Sequence, residues 1–207
     1  MPVNTNFWNR IRYTIYSPFY DRIASFPQCR RRSIEILRPA EGERVLIIGA
    51  GSGLDIPYIP SSVHITAVDV TPAMVDRLRR RAQHLGRYVD ARVMDGQALD
   101  FPSECFDAVI LHLILAVIPD PFACIQEAAR VLKPGGRAIV WDKFLPDHEE
   151  PSMARRLLNI FSHVAFSDIN RKLGPLVNST NLVIEHQELM PVAGLPYTIA
   201  LLRKPQS

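Results

Sequence analysis

Between residues 44 and 141 short β-branched or continuously apolar runs alternate with longer amphipathic ones, the pattern of parallel strands joined by crossover helices. Residues 44–48 form a β-branched run ending in glycines, and 54–59 read as a short helical piece cut off by prolines. Residues 64–70 make a second strand that meets Thr71-Pro72, where threonine can cap and proline can open a helix over 73–85. Residues 88–94 read as the third strand. Residues 107–113 are almost continuously apolar, as a central strand covered on both faces requires. Asp120-Pro121 opens a helix through Leu132, Lys133-Pro134-Gly135-Gly136 stops it, and 137–141 supply a fifth strand.

The flanks differ in character. Residues 7–23 and 30–37 read as helical pieces wrapped over one edge, forming an N-terminal helical cap over 1–39. After the core at 40–145, residues 146–151 are polar and turn-rich, and Met153, Leu157, Leu158, Phe161, Val164 and Ala165 then recur at helical steps. That predicts lid helices over 146–180. Residues 182–188 and 197–203 form an antiparallel strand pair closing the chain at 181–207. The expectation is one α/β domain over 1–207, with no internal repeat.

Composition narrows this picture. A chain of 207 residues has room for one domain with a substantial core. Its 47% hydrophobic and 22% charged residues exclude a disordered or collagen-like polymer. No run reaches the roughly 18 uninterrupted apolar residues of a bilayer span, since 109–118 is broken by His112 and stops at Pro119. Arg10 and Arg12 sit within the N-terminal aromatic stretch with no continuous apolar region, so the expected location is cytoplasmic, without a secretory signal. Cys29, Cys105 and Cys124 are too scattered for a disulfide framework or zinc ligands, and the six histidines form no paired metal motif, so no metal is specified. The net charge of +3 is modest, but arginines bunch at 30–32 and 77–81. A solvated helix face explains such clusters; an anionic partner or membrane surface is the alternative.

The chemistry begins at Val45-Leu46-Ile47-Ile48-Gly49-Ala50-Gly51-Ser52-Gly53, with glycines at alternate positions directly after a strand. Glycines let a ligand approach the main chain, and a short helix after them would aim amide hydrogens at it. Asp69 lies twenty residues beyond Gly49, at the end of the next strand, where a carboxylate can accept two hydrogen bonds from ribose hydroxyls. Together these imply a nucleoside. A dinucleotide fingerprint would need a small residue at position 54, where Leu54 stands; that suits a ligand without phosphates and disfavours a nicotinamide-dependent oxidoreductase.

These residues, with Met94 through Pro102, Phe106 through Ile110, and Val131 through Gly136, resemble the class I S-adenosylmethionine-dependent methyltransferases, specifically the type 11 group of ubiquinone, menaquinone and phospholipid N-methyltransferases. The resemblance covers roughly residues 40–142. It implies a Rossmann-like three-layer sandwich: a mostly parallel seven-stranded sheet with an antiparallel C-terminal strand and helices on both faces. It also implies S-adenosylmethionine as donor and S-adenosylhomocysteine as product. Gly49, Ala50, Gly51 and Gly53 would lie along the methionine moiety, Asp69 and Val70 at the ribose, Asp95 at the adenine amino group, and Gly96 and Gln97 beside the ring. The sequence departs from the family pattern at Ile47, where an acidic residue often stands, which shifts that task to Asp55 or to an N-terminal tyrosine.

Methyl transfer is an in-line displacement in which orientation alone supplies roughly 7–11 kcal/mol, and a base is needed only if the acceptor must lose a proton. His112, after strand four, is both a donor contact and the candidate base, since its unperturbed pKa of about 6.5 suits proton transfer; the plain alternative is a packed histidine with one hydrogen bond. Asp142 and Lys143 could orient a polar acceptor or simply pair at the surface. Tyr13, Tyr16 and Tyr20 share one helix face; the resemblance implies that Tyr16 and Tyr20 close over the donor, while burial against the sheet also explains the spacing. Residues 151–177 are apolar on one face and carry Arg155, Arg156, Arg171 and Lys172, which suits a lipid or aromatic acceptor, and equally an ordinary lid. The expected partner is a small molecule or lipid, with peripheral membrane contact through the basic N-terminal helices. Nucleic acid is not expected, because no Asn-Pro-Pro-Tyr or Asp-Pro-Pro-Tyr site occurs. A non-catalytic nucleoside-binding module of the same fold remains the competing reading, and Ile47 gives it force.

Overall fold

The computed structural model describes the backbone of residues 5–23, 25–145, 170–191 and 197–206; the side chains of residues 15–20, 22 and 23 lie outside that description. Seven strands, β1 (Arg44–Ile48), β2 (His64–Asp69), β3 (Val89–Val93), β4 (Phe106–His112), β5 (Leu132–Asp142), β6 (Val183–Leu189) and β7 (Thr198–Arg203), form one sheet in the order β3-β2-β1-β4-β5-β7-β6. Strands β1 to β5 are parallel, β7 pairs antiparallel with β5, and β6 pairs antiparallel with β7. Of the seven, β7 runs against the other six. The chain walks outward from β1 to β3 and then returns to place β4 beside β1, so a crevice opens at the carboxyl ends of those two strands.

Side-chain alternation along the central strands builds two cores. Leu46, Ile48, Val109, Leu111 and Val140 face α4 (Pro121–Val131) and α5 (Leu173–Asn178), whose Ile125, Ala128, Leu173 and Leu176 cover them. Val45, Ile47, Ala108, Ile110 and Trp141 face the opposite way, toward Ile34 and Leu37 of α2 (Pro27–Leu37) and Val75 and Leu78 of α3 (Pro72–His84). The first helix, α1 (Asn6–Ile23), packs against α3 and crosses the crevice end of the sheet.

Local structure departs from expectation in three places. The glycine turn is followed by turns and a single 3-10 turn, Ile56–Tyr58, so no α-helix begins directly after the glycines. Thr71 precedes α3 but its side chain makes no capping bond; its backbone N–H donates to Asp69 Oδ1 at 2.8 Å. Asp120, by contrast, does cap, accepting the Ala123 N–H at 3.0 Å. Strand β5 extends back through Lys133-Pro134-Gly135-Gly136, with a register shift opposite Phe106 and Ala108 where the sequence suggested a loop. The expected lid falls mostly on residues 146–169, outside the described residues, and with it Arg155 and Arg156. Within the described part, Arg171 donates to the Leu115 and Ile118 carbonyls, tying the start of α5 to the segment after β4.

Candidate functional site

A cleft of about 600 Å³, counted to its open mouth, lies at the carboxyl ends of β1, β2 and β4. Gly49 and Gly51 form its base, Asp69, Val70 and Thr71 one side, Asp95 and Gly96 the far end, and Leu113 and Ile114 the opposite wall. Helix α1 lies over it with Asn6, Asn9 and Tyr13 turned inward.

Asp69 is the organising acid. One oxygen accepts the Gly51 N–H at 2.9 Å and the other the Thr71 N–H at 2.8 Å, so the carboxylate bridges the glycine turn to the start of α3. Burial pushes its pKa up, against the two amides that hold its charged form. Beside it the Thr71 hydroxyl is buried, close enough to Asp69 to help hold its charged form but without a well-aligned protein hydrogen bond. At the far end Asp95 is held by Gln97, whose backbone N–H donates at 3.0 Å and whose amide donates at 2.9 and 3.1 Å. Gln97 Oε1 in turn accepts the Asp120 N–H at 2.7 Å. Asn6 reaches down from α1 and donates to Asp95 Oδ2 at 2.5 Å.

Helix α1 is fastened along its length. Arg10 donates to the Val70 carbonyl at 2.8 Å, and Asn9 to the Val117 carbonyl at 3.5 Å. Asp21 accepts from Ser52 of the glycine turn, from Arg77 at 2.9 Å and from Arg81 at 2.6 Å. Burial alone would raise the Asp21 pKa, but Ser52 and the two guanidinium groups outweigh it and leave the carboxyl below its ordinary value. Tyr13, half-buried in the cleft lining, has its phenol pushed up to about 12 by loss of solvent, with Asp69 and Asp142 adding to the shift, so it is a neutral hydrogen-bonding group at any physiological pH.

The residues singled out from sequence separate into groups. Gly49, Gly51, Asp69, Val70, Asp95 and Gly96 line the cleft. Ala50, Gly53 and Gln97 stand behind it: Ala50 donates its N–H to the Val68 carbonyl at 2.9 Å, Gly53 closes the turn onto Ala50, and Gln97 aims Asp95. The side chains of Tyr16 and Tyr20 lie outside the described residues, and Tyr13 of the same helix lines the cleft. His112 does not line it. Its side chain is 1% exposed, Nδ1 meets Asp55 Oδ1 at 2.7 Å, and Nε2 meets Ser33 Oγ at 2.5 Å. Both nitrogens are therefore engaged inside the protein. Asp55 also accepts from Arg30 at 2.5 Å; burial raises its pKa, yet Arg30 and His112 prevail and hold it far below the carboxylate range. Asp142 is buried rather than at the surface, accepting the Ala116 and Lys143 amides at 2.8 Å each.

Two of the glycines make room for protein as well as for a ligand. At Gly49 and Gly96 the space that a β-carbon would need is taken by side chains, Ile114 at the first and Ile48 at the second. Asn6, Asn9 and the Leu113–Ile114 wall escaped the sequence reading, because their approach depends on contacts across 60 residues or more of chain, and Thr71 was read only as a cap. Among the described residues, no group of three or more His, Cys, Asp or Glu could hold a metal.

Residues 46–140 match a family model described as a methyltransferase domain. The chain is 33% identical over 138 residues to phosphatidylethanolamine N-methyltransferase of Cereibacter sphaeroides, covering 66% of each protein. It is 30% identical over 174 residues to demethylmenaquinone methyltransferase of Tropheryma whipplei strain Twist, covering 81% of this chain and 69% of that one. The chain thus spans about two thirds of the length of these relatives. Among solved structures, the [4+2]-cyclase SpnF superposes with a TM-score of 0.73 at 20% identity, over 87% of this chain and 81% of that one. The geranyl diphosphate C-methyltransferase of Streptomyces coelicolor A3(2), solved with Mg2+, geranyl diphosphate and S-adenosyl-L-homocysteine, gives 0.71 at 15% identity, over 86% and 80%. At those identities the two structures show the fold.

Proposed function

This chain belongs to the methyltransferase domain family, and from that premise we propose that it moves a methyl group from S-adenosylmethionine to a small-molecule or lipid acceptor, releasing S-adenosylhomocysteine. The observation that carries the reading is the pairing of Asp69 with the glycine turn at the rim of the switch-point cleft. The charged groups lining the cleft among the described residues are Asp69 and Asp95, with no arginine or lysine. That lining favours a sulfonium nucleoside over a dinucleotide, whose pyrophosphate calls for positive charge.

The residues fit the donor. Asp69 and the Thr71 hydroxyl suit ribose hydroxyls, Asp95 and Gly96 an adenine edge, and Gly49 and Gly51 the amino-acid end. Tyr16 and Tyr20 remain candidates to cover it from α1. When bound, the donor supplies an activated methyl group on positively charged sulfur. The protein's part is to hold it, aim it and exclude water, tasks that suit Tyr13, Asn6 and Asn9 of the overlying helix. Because His112 spends both nitrogens on Asp55 and Ser33, proton removal from the acceptor is not assigned to it.

The acceptor side belongs to the same proposal. No helix among the described residues is long and apolar enough to cross a membrane. On α1, however, Phe7, Trp8 and Ile11 are exposed, and α3 carries the arginine cluster Arg77, Arg80 and Arg81. That combination supports peripheral contact with a membrane surface, and we take the protein as a cytoplasmic enzyme with residues 1–207 in one domain. The buried Ile47, and a cyclase on the same fold, favour one second reading, a nucleoside-binding protein that methylates nothing.

Calorimetric titration with S-adenosylmethionine and with NAD tests donor class, and incubation with methyl-labelled donor and extracts of lipids, quinones and polar metabolites tests transfer. Donor binding with label entering one extract is expected. Binding of NAD alone would overturn the donor; donor binding with no labelled product would select the second reading.

A further inference from the structure

Asp55 stands two residues past Gly53, where the glycine turn closes, and His112 ends β4 immediately before the cleft-lining Leu113 and Ile114. Their bond joins the glycine turn at the base of the cleft to the Leu113–Ile114 wall from behind. Both ends of the chain of contacts return to α2, through Arg30 on Asp55 and Ser33 on His112. Ser33 has no exposed surface and Arg30 is 4% exposed. A serine, a histidine and an aspartate in this order resemble a nucleophile relay, but Ser33 faces no cleft, so the arrangement is not set to attack a substrate.

The two residues after His112 explain its use. Leu113 has φ +58, a left-handed backbone that a leucine adopts at a cost, and its N–H is fixed on the Trp141 carbonyl at 2.8 Å. This corner swings Ile114 across to Gly49, where its side chain fills the β-carbon space. A strained corner persists when its surroundings over-determine it, and the doubly bonded His112 ring is the anchor next to it. Ile47, where the family pattern often has an acid, packs in the apolar cluster on this same face of the sheet. Asp55 therefore brings a buried carboxylate to that face from the other side of the glycine turn.

We propose that Arg30, Asp55, His112 and Ser33 form a buried strut of positioning residues that fixes the distance between the glycine turn and the Leu113–Ile114 wall. His112 acts on the donor through Ile114, and not as a base on the acceptor. The inference rests on the donor reading of the cleft.

The test compares Ser33→Ala and His112→Gln with Leu176→Ala, a core truncation on the opposite face of the sheet. Calorimetry with S-adenosylhomocysteine needs no acceptor. Both strut variants are expected to lose about tenfold in affinity, since small misplacements of a binding wall carry large penalties. Leu176→Ala is expected to lower the melting temperature at least as much while binding like wild type. On an Ile114→Ala background, His112→Gln should add little further loss. If His112→Gln fails to fold, Ser33→Ala carries the same comparison. Unchanged affinity in the strut variants, with wild type binding normally, overturns the strut alone. A fall in label transfer at saturating donor with affinity intact restores His112 as the base and overturns it too. Wild-type protein that takes no donor defeats the donor reading, and the strut's role with it.

Discussion

The Cδ1 atom of Ile114 lies 2.6 Å from the point where a β-carbon on Gly49 would stand, and Gly49 itself has φ +68. Two independent penalties therefore meet at this position. A left-handed alanine costs about 1–2 kcal/mol, and overpacking the site costs about 1–3 kcal/mol more. Gly49→Ala is expected to destabilise the protein by about 2–5 kcal/mol in urea denaturation. Adding Ile114→Ala should recover the packing share and leave the backbone share. Full recovery would mean that the backbone conformation costs nothing.

At the ribose end, Asp69 and Thr71 separate binding from stability. Asp69→Ala should weaken donor binding at least about tenfold, because charge-assisted hydrogen bonds disappear. Thr71→Val removes a buried hydroxyl that makes no well-aligned hydrogen bond to the protein. Since an unsatisfied buried group costs about 1–3 kcal/mol, the valine should hold or raise the melting temperature while lowering donor affinity. A valine variant that binds donor as well as wild type would take Thr71 out of the site.

Much of this was legible in sequence, and the reason is locality. Alternation between residues 44 and 141, the apolar run of β4 and the Asp120 cap are properties of neighbouring residues, and they survive folding unchanged. Gly49, Gly51 and Asp69 were readable because strand-turn-strand spacing alone carries them to one rim. Ser33 and His112 are 79 residues apart, Asn6 and Asp95 89, and no periodicity links such pairs. His112 looked like a base because its position at a strand end was visible and its two buried partners were not. Thr71 looked like a cap because its place before Pro72 was visible and the direction of its hydroxyl, which makes no capping bond, was not.

Acid titration should expose the Asp55 pair. Burial pushes its pKa up, but Arg30 and His112 together force it far below the ordinary value of 3.8. A carboxyl depressed on folding adds stability above its unfolded pKa and loses it as the pH falls toward the folded one. Asp55→Asn leaves the Arg30 cation buried without its counter-charge, a loss of about 3–5 kcal/mol. The gap from wild type should stay level from pH 7 to about 4 and close only below that. A gap that closes between pH 7 and 5 would overturn the depressed Asp55 carboxyl.

The Asp21 clasp governs how tightly α1 covers the cleft. Its carboxylate is 28% exposed and meets Arg77 and Arg81, so each pair contributes modestly and is weakened by salt. Asp21→Asn should raise hydrogen exchange in the α1 amides and lower donor affinity by about threefold, the effect of roughly 1 kcal/mol or less. Raising the salt concentration should do the same to wild type and little to the variant. Exchange in α1 that ignores both changes would mean that Asn6, Asn9 and Arg10 hold the helix by themselves.

Trp8 offers a direct readout of membrane contact, because the chain has two tryptophans and the other, Trp141, is fully buried. Trp8 is 38% exposed on α1, with Phe7 at 73% and Ile11 at 38% beside it. Apolar side chains on a helix near basic groups partition into an anionic interface, where each fully buried one gains about 1.5–3 kcal/mol. Vesicles containing phosphatidylglycerol should shift the tryptophan emission to the blue, whereas vesicles of phosphatidylcholine alone should shift it less. High salt should reverse the anionic part, since surface charge attraction decays over about 8 Å at physiological ionic strength. Phe7→Ser with Ile11→Ser should weaken partitioning at least about tenfold while donor affinity holds, because neither residue lines the cleft. Emission that stays constant across all vesicles would place the acceptor in solution and leave these side chains with another partner.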